Sequence, residues 1–136
     1  TLNCAVWRSP GDNPFMAAAE RVIAAIAPAN GPSDPHEPGQ FAFADAKRVE
    51  NILAASGWEA IDIQPLDMPC AITTADLAIY ARRMGRAGTI LPTLADAARR
   101  EAEARLDEAF APFVTDGTAH FDAACWSLRA RKPASD

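Results

Sequence analysis

The stretch Phe41-Ala-Phe-Ala-Asp45, the helical repeat Val49, Ile52, Leu53, the stop Ser56-Gly57-Trp58 and the run Ala60-Ile-Asp-Ile-Gln64 decide the fold. Asp45 suits a helix N-cap, because its carboxylate can accept from backbone amides that have no partner inside the helix. Val49, Ile52 and Leu53 recur at three and four residues, the spacing of one helical face. Gly57 suits the left-handed residue that ends a helix. Ile61 and Ile63 then alternate with Asp62 and Gln64, the period of a strand with one face buried, and Pro65 is expected to limit it. A helix followed closely by a strand makes this an α/β chain.

Outward from that core, Leu2 to Trp7 reads as a first strand with Leu2, Cys4 and Val6 on one face. Ala123-Ala-Cys-Trp-Ser-Leu-Arg-Ala130 reads as a last strand. Asn13-Pro14 opens a helix, Asn as a cap and Pro at a position that sacrifices no hydrogen bond. Its apolar stripe is Phe15, Ala19, Val22, Ile23 and Ile26, and it ends near Pro28. Pro28 to Gln40, with Pro28, Pro32, Pro35 and Pro38, reads as a loop. Thr74 is the expected cap of a helix carrying Leu77, Tyr80, Ala81 and Met84, ended by Gly85 or Gly88. A longer helix spans about Thr93 to Phe110, with Leu94, Ala98, Ala102, Leu106 and Phe110 spaced by four. On its outer face Arg99 is expected to pair with Glu103 and Glu101 with Arg105. Thr115-Asp-Gly117 turns the chain into the last strand.

The chain has 136 residues, 49% of them hydrophobic, and a formal charge of -5. That length fits one domain and that composition argues against disorder. The acidic balance argues against a nucleic-acid partner, which needs a basic footprint. The three cysteines, Cys4, Cys70 and Cys125, are odd in number and lie in apolar surroundings. They read as buried thiols of a reducing compartment. No apolar run reaches the roughly 18 residues of a membrane span, so no membrane partner and a cytoplasmic setting are expected. A chain opening on Thr1 is expected to lie downstream of an initiator.

Few residues propose chemistry. His36 and His120 have no cysteine or histidine at metal-ligand spacing, so no metal site is expected. Cys125 beside Trp126 reads as packing, and a nucleophile there would need a base. The carboxylates fall on solvent faces, leaving no catalytic residue to nominate. The aromatic residues gather near strand ends, where α/β folds bind ligands. Trp7, Asn13, Phe15, Met16, Phe41 and Phe43 form a candidate substrate pocket; the alternative is that the rings only cover the sheet ends.

Leu2-Asn-Cys-Ala-Val-Trp-Arg-Ser-Pro10 with Asn13-Pro14-Phe15 resembles the fifth strand and following loop of class I S-adenosylmethionine-dependent methyltransferases. Phe41 to Val49 with Ile52 to Trp58 resembles their next helix, Ile61-Asp-Ile63 their sixth strand, and Ala123 to Ala130 their seventh. The resemblance covers most of the chain. It implies a partial Rossmann-like fold: a small mixed sheet in the spatial order first, last, middle strand, flanked by helices. The last strand would be antiparallel to both neighbours. Residues 1–136 would be the C-terminal part of a methyltransferase-like domain, with substrate-side insertions at about 8–44 and 66–115.

The same resemblance implies S-adenosylmethionine as cofactor of a full-length parent that methylates a small organic acceptor. The family's glycine-rich loop and ribose-binding acid belong to its first four strands. The glycines here, at 11, 31, 39, 57, 85, 88 and 117, never form G-x-G. The isolated chain is therefore expected to bind no cofactor and to be inactive. A first strand without its outer neighbour exposes an edge, so a homodimer is expected. A small α/β dimerisation domain or a small-molecule-binding domain without catalysis stays open as the alternative.

Overall fold

The structure, a computed structural model, describes residues 1–28 and 38–133. Most of the Pro28 to Gln40 loop, His36 included, lies outside the described residues. The elements run β1 (Leu2–Trp7), α1 (Pro14–Ile26), α2 (Ala46–Ala55), β2 (Glu59–Thr73), α3 (Thr74–Arg83), α4 (Gly85–Ile90), α5 (Asp96–Phe110), β3 (Val114–Thr115) and β4 (Thr118–Arg131). Their order in the sheet is β1-β4-β2, with the two-residue β3 also on β4. The first–last–middle order expected from the sequence is the order found, in a small sheet of an α/β chain. The described residues gather into two compact units, one of 1–13, 38–68 and 122–133, the other of 14–28 and 69–121. Strands β2 and β4 contribute residues to both.

In the first unit β1 lies antiparallel on β4, from Leu2 opposite Ala130 to Trp7 opposite Cys125, with no bulge in the register. The buried residues of β4 here are Ala123, Ala124, Cys125, Leu128 and Ala130. Helix α2 begins as its sequence dictates: the Asp45 carboxylate accepts from the Arg48 amide at 3.0 Å. It ends at Ser56, followed by Gly57 at φ 75°. On β2, Ile61 and Ile63 are half-buried and Asp62 and Gln64 exposed. The strand does not stop at Pro65 but continues through Pro65 and Pro69 to Thr73. Because β2 ends the sheet order, a proline there can turn its missing N–H outward without costing a ladder bond.

In the second unit α1 packs on α4 and α5. One apolar cluster is built on Phe15, Ala18, Leu77, Ala81, Phe110 and Ala119, another on Ile23, Ala87, Leu91, Ala102 and Leu106. The cap of α3 is Thr73, one residue before the expected Thr74. Its hydroxyl accepts from the Asp76 amide at 3.1 Å and donates to the Asp76 carboxylate at 2.8 Å, a reciprocal arrangement Thr74 has no acid in place to make. Helix α5 begins at Asp96, not Thr93, because Leu94 and Ala95 are extended (ψ 146° and 151°) after a short helical turn at Leu91–Thr93. Arg105 pairs with Glu101 at 2.6 Å as expected, whereas Arg99 turns back to Asp96 at 2.6 Å instead of forward to Glu103. The acid at the first turn also complements the helix dipole. Asp116 and Gly117, at φ 49° and 77°, form the two-residue turn that pairs Thr115 with Thr118.

Helix α3 stops at Arg83, which leaves Met84 outside it and 58% exposed rather than on its apolar stripe. Gly85 at φ 56° then redirects the chain into α4. Gly88 is required by close approach: a Cβ there would lie 2.3 Å from the Arg83 carbonyl oxygen. Backbone cannot give way as a side chain does, so Gly88→Ala is expected to destabilise by about 1–3 kcal/mol in urea unfolding. A change under about 0.5 kcal/mol would contradict this packing. No helix among the described residues is long and apolar enough to cross a membrane.

Candidate functional site

The loop from Arg8 to Asn13 leaves the C-terminal end of β1 and carries most of the polar order in the first unit. Asn13 is fully buried. Its amide nitrogen donates to the carbonyls of Arg8 (3.4 Å), Ser9 (3.2 Å) and Ala124 (2.9 Å). Its amide oxygen accepts from the Ala124 N–H at 2.9 Å. Asn13 therefore clamps this loop onto β4 and does not cap α1 with its side chain. Three strand and loop carbonyls converge on it, and only a side chain with both donor and acceptor satisfies them together with the N–H.

Around that clamp the Arg8 guanidinium donates to Asp67 at 2.9 Å, lies 3.5 Å from Asp12 and stands over the Trp126 ring at 5.6 Å. The Ser9 hydroxyl donates to Asp12 at 2.6 Å. That bond, with Arg8 nearby, lowers the Asp12 carboxyl below its ordinary value. The Trp126 indole donates to the Ala44 carbonyl at 2.8 Å, which fixes the segment before α2. Trp7 and Phe41 are half-buried in this unit and Phe43 is 43% exposed.

Phe15 and Met16 belong to the second unit. Phe15 is only 2% exposed. Its ring stacks on Phe121 (centroids 3.8 Å) and Tyr80 (5.6 Å) and meets Phe110 and Phe113 edge-on at 5.1 and 5.3 Å. The Tyr80 hydroxyl donates to the Met16 sulfur at 3.2 Å, and burial raises the Tyr80 pKa above its ordinary value. Phe15 is thus the centre of an aromatic core. Its partners Tyr80, Phe110, Phe113 and Phe121 lie far along the chain, with no local signal linking them to it.

Concavities among the described residues include one of about 570 Å³ over β1 and β4 (Asn3, Cys4, Ala5, Ser127, Leu128, Arg129), one of about 380 Å³ between α3 and α5, and one of about 420 Å³ along α2 and β2. None of these three is lined by Trp7, Asn13, Phe15, Met16, Phe41 or Phe43. Cys125 is buried as expected, but Cys70 is half-buried and Cys4 exposed, because β1 lies at the end of the sheet. His120 is exposed on β4. Among the described residues no group of three or more His, Cys, Asp or Glu could hold a metal ion. No family model matches the chain, and no curated protein matches it either.

Proposed function

We propose that these residues form the acceptor-substrate side of an S-adenosylmethionine-dependent methyltransferase acting on a small organic molecule. The observation that carries the reading is the sheet order β1-β4-β2, in which the last strand lies between the first and the middle and is antiparallel to the first. That is the order implied by the resemblance of Leu2 to Phe15, Phe41 to Trp58 and Ala123 to Ala130. A second support comes from the segments read as substrate-side insertions. Of the segments at about 8–44 and 66–115, residues 14–28 and 69–115 fall in one compact unit, where α1 packs on α4 and α5, and residues 8–13, 38–44 and 66–68 fall in the other.

Among the described residues no glycine turn has the form of a cofactor cradle. Among the described residues the glycines with positive φ are Gly57, Gly85 and Gly117. They serve a helix stop, an interhelical turn and a hairpin, not a strand-to-helix turn able to wrap a nucleotide. In this reading the cofactor is held by further strands alongside β1 and supplies an electrophilic methyl group. The residues described here shape and orient the acceptor, the part of the reaction governed by proximity. The test is methyl transfer from labelled S-adenosylmethionine to a panel of small phenols, carboxylic acids and amines, using the protein as isolated from its source. Its intact mass should exceed that of the 136 residues, and label should reach at least one acceptor class. A protein of 136 residues, or no transfer to any class by a longer protein that binds the cofactor, would overturn the reading.

The edge of β1 favours a second proposal about the chain on its own. Asn3, Cys4 and Ala5 are exposed, and Leu2 to Trp7 contains no Lys, Pro or bulge of the kind that guards an edge. We propose that the isolated chain forms a homodimer by pairing β1 with a second β1. Sedimentation equilibrium should show a concentration-dependent dimer, abolished by Ala5→Pro; monomer at every concentration would refute it.

A further inference from the structure

The outer edge of β1 carries a pattern of backbone groups and side chains that selects how a second copy fits against it. The Arg8 N–H donates to the Ala124 carbonyl at 2.9 Å, one step beyond Trp7 opposite Cys125 in the same register. In an antiparallel ladder, residues that bond to the neighbouring strand alternate with residues that do not. Counting back from Arg8, the residues Val6, Cys4 and Leu2 turn their N–H and C=O groups toward β4. Trp7, Ala5 and Asn3 turn theirs to the open side, where β1 ends the sheet order. Asn3, Cys4 and Ala5 are exposed, and Leu2 and Val6 are half-buried.

An antiparallel partner strand must set outward groups against outward groups. For two copies of β1 about a twofold axis, that leaves registers centred on Asn3, Cys4, Ala5 or Val6. A centre between two residues would set outward groups against groups already bonded to β4. Side chains choose among the four. Centred on Cys4, Leu2 faces Val6 of the second copy, Cys4 faces Cys4, and Val6 faces Leu2, so each apolar residue of that face meets an apolar one. Centred on Ala5 or Val6, the Arg8 side chain, held by Asp67 and Asp12, would fall opposite Leu2 or Cys4. Centred on Asn3, Val6 would pass beyond the paired stretch. We infer that a second copy adds to the β1 edge antiparallel and centred on Cys4, with the two Cys4 thiols facing each other across the twofold axis. The inference rests on the edge-pairing reading of the isolated chain and is independent of the methyltransferase one. Facing residues whose N–H and C=O point away from the interface have Cα atoms about 4.5 Å apart. A disulfide spans Cα separations of about 4.4–6.8 Å, so an oxidant can lock this interface. With oxidised glutathione, one Cys4 thiolate attacks the glutathione disulfide, forming a mixed disulfide and releasing one reduced glutathione. The second Cys4 thiolate attacks the Cys4 sulfur of the mixed disulfide, forming the Cys4–Cys4 bond and releasing the second; the two thiol protons end on the two glutathione thiols.

The test is incubation of the 136-residue chain with oxidised glutathione, at a concentration where sedimentation shows the dimer, followed by non-reducing electrophoresis and mapping of the linked peptides. A dimer linked through Cys4 is expected, and Cys4→Ser should lose the link while still sedimenting as a dimer. The double variant Cys4→Ser, Ala5→Cys moves the thiol by one residue. It should link at least about tenfold more slowly, because two residues at position 5 would lie diagonally, about 7–8 Å apart, beyond disulfide reach. Ala5→Pro, which removes an outward N–H but keeps Cys4, should slow the link by a similar factor; random collision of exposed thiols would not be slowed. Equal linking by the double variant, linking unaffected by Ala5→Pro, or a dimer in which Cys4 does not link would each overturn the register and leave edge pairing itself standing. A chain that stays monomeric at every concentration would overturn both.

Discussion

Phe15→Ala is expected to cost about 3–5 kcal/mol in denaturant unfolding, the range for truncating a buried ring. Phe15 is 2% exposed and its ring touches those of Tyr80, Phe110, Phe113 and Phe121. Truncation removes the transfer free energy of the ring and leaves a cavity bounded by four aromatic residues, which are too rigid to collapse into it. The edge-on and stacked contacts add about 0.5–1.5 kcal/mol each beyond area burial. The near-ultraviolet circular dichroism should fall at the same time, since the ring packing that produces it is lost. Phe43→Ala provides the contrast: at 43% exposure it should cost under about 1 kcal/mol. A loss under about 1 kcal/mol for Phe15→Ala would mean that Phe15 lines an accessible pocket and does not centre the core.

Asn13→Ala and Asn13→Asp should be nearly equally damaging, at about 2–3 kcal/mol, although the second is close to isosteric. Alanine strands the buried Ala124 N–H and O, which lie 2.9 Å from the Asn13 amide. A carboxylate keeps the bond from Ala124 N–H but places negative charge against the carbonyls of Arg8, Ser9 and Ala124. It has no donor to offer them. Burial among acceptors favours the protonated form of the introduced carboxyl, so its folded-state pKa is raised. The sign follows: stability of Asn13→Asp is greatest below the ordinary carboxylate pKa and is lost as pH rises through the raised value. Equilibrium unfolding of this variant at acid and neutral pH, with wild type as reference, gives the comparison. A variant as stable as wild type at neutral pH would show that the Asn13 clamp is absent.

Much of the fold was legible because its signals are local. The Asp45 cap, the Gly57 stop and the alternation at Ile61 to Gln64 each depend on a few adjacent residues, and each is formed. The misreadings come from tertiary context. Pro65 ends a strand only if both edges of that strand are paired, and β2 is at the end of the sheet. Cys4 has an apolar neighbourhood in sequence but an exposed place on the outermost strand. Arg99 could reach an acid on either side, and the choice of Asp96 over Glu103 depends on where α5 begins.

The candidate site was less legible. Aromatic residues near a strand end suggest a pocket, yet whether Phe15 faces a ligand or a core is decided by Phe110, Phe113 and Phe121, about a hundred positions away. Asn13 carried a correct local signal, Asn before Pro at a helix start, but its side chain is used by Ala124, 111 residues along the chain.

Calorimetric titration of S-adenosylmethionine tests the central claim most directly, performed on the 136-residue chain and on the protein isolated from its source. The account predicts saturable binding by the second and no measurable heat with the first. Saturable binding by the 136 residues alone, or by neither protein, would contradict it.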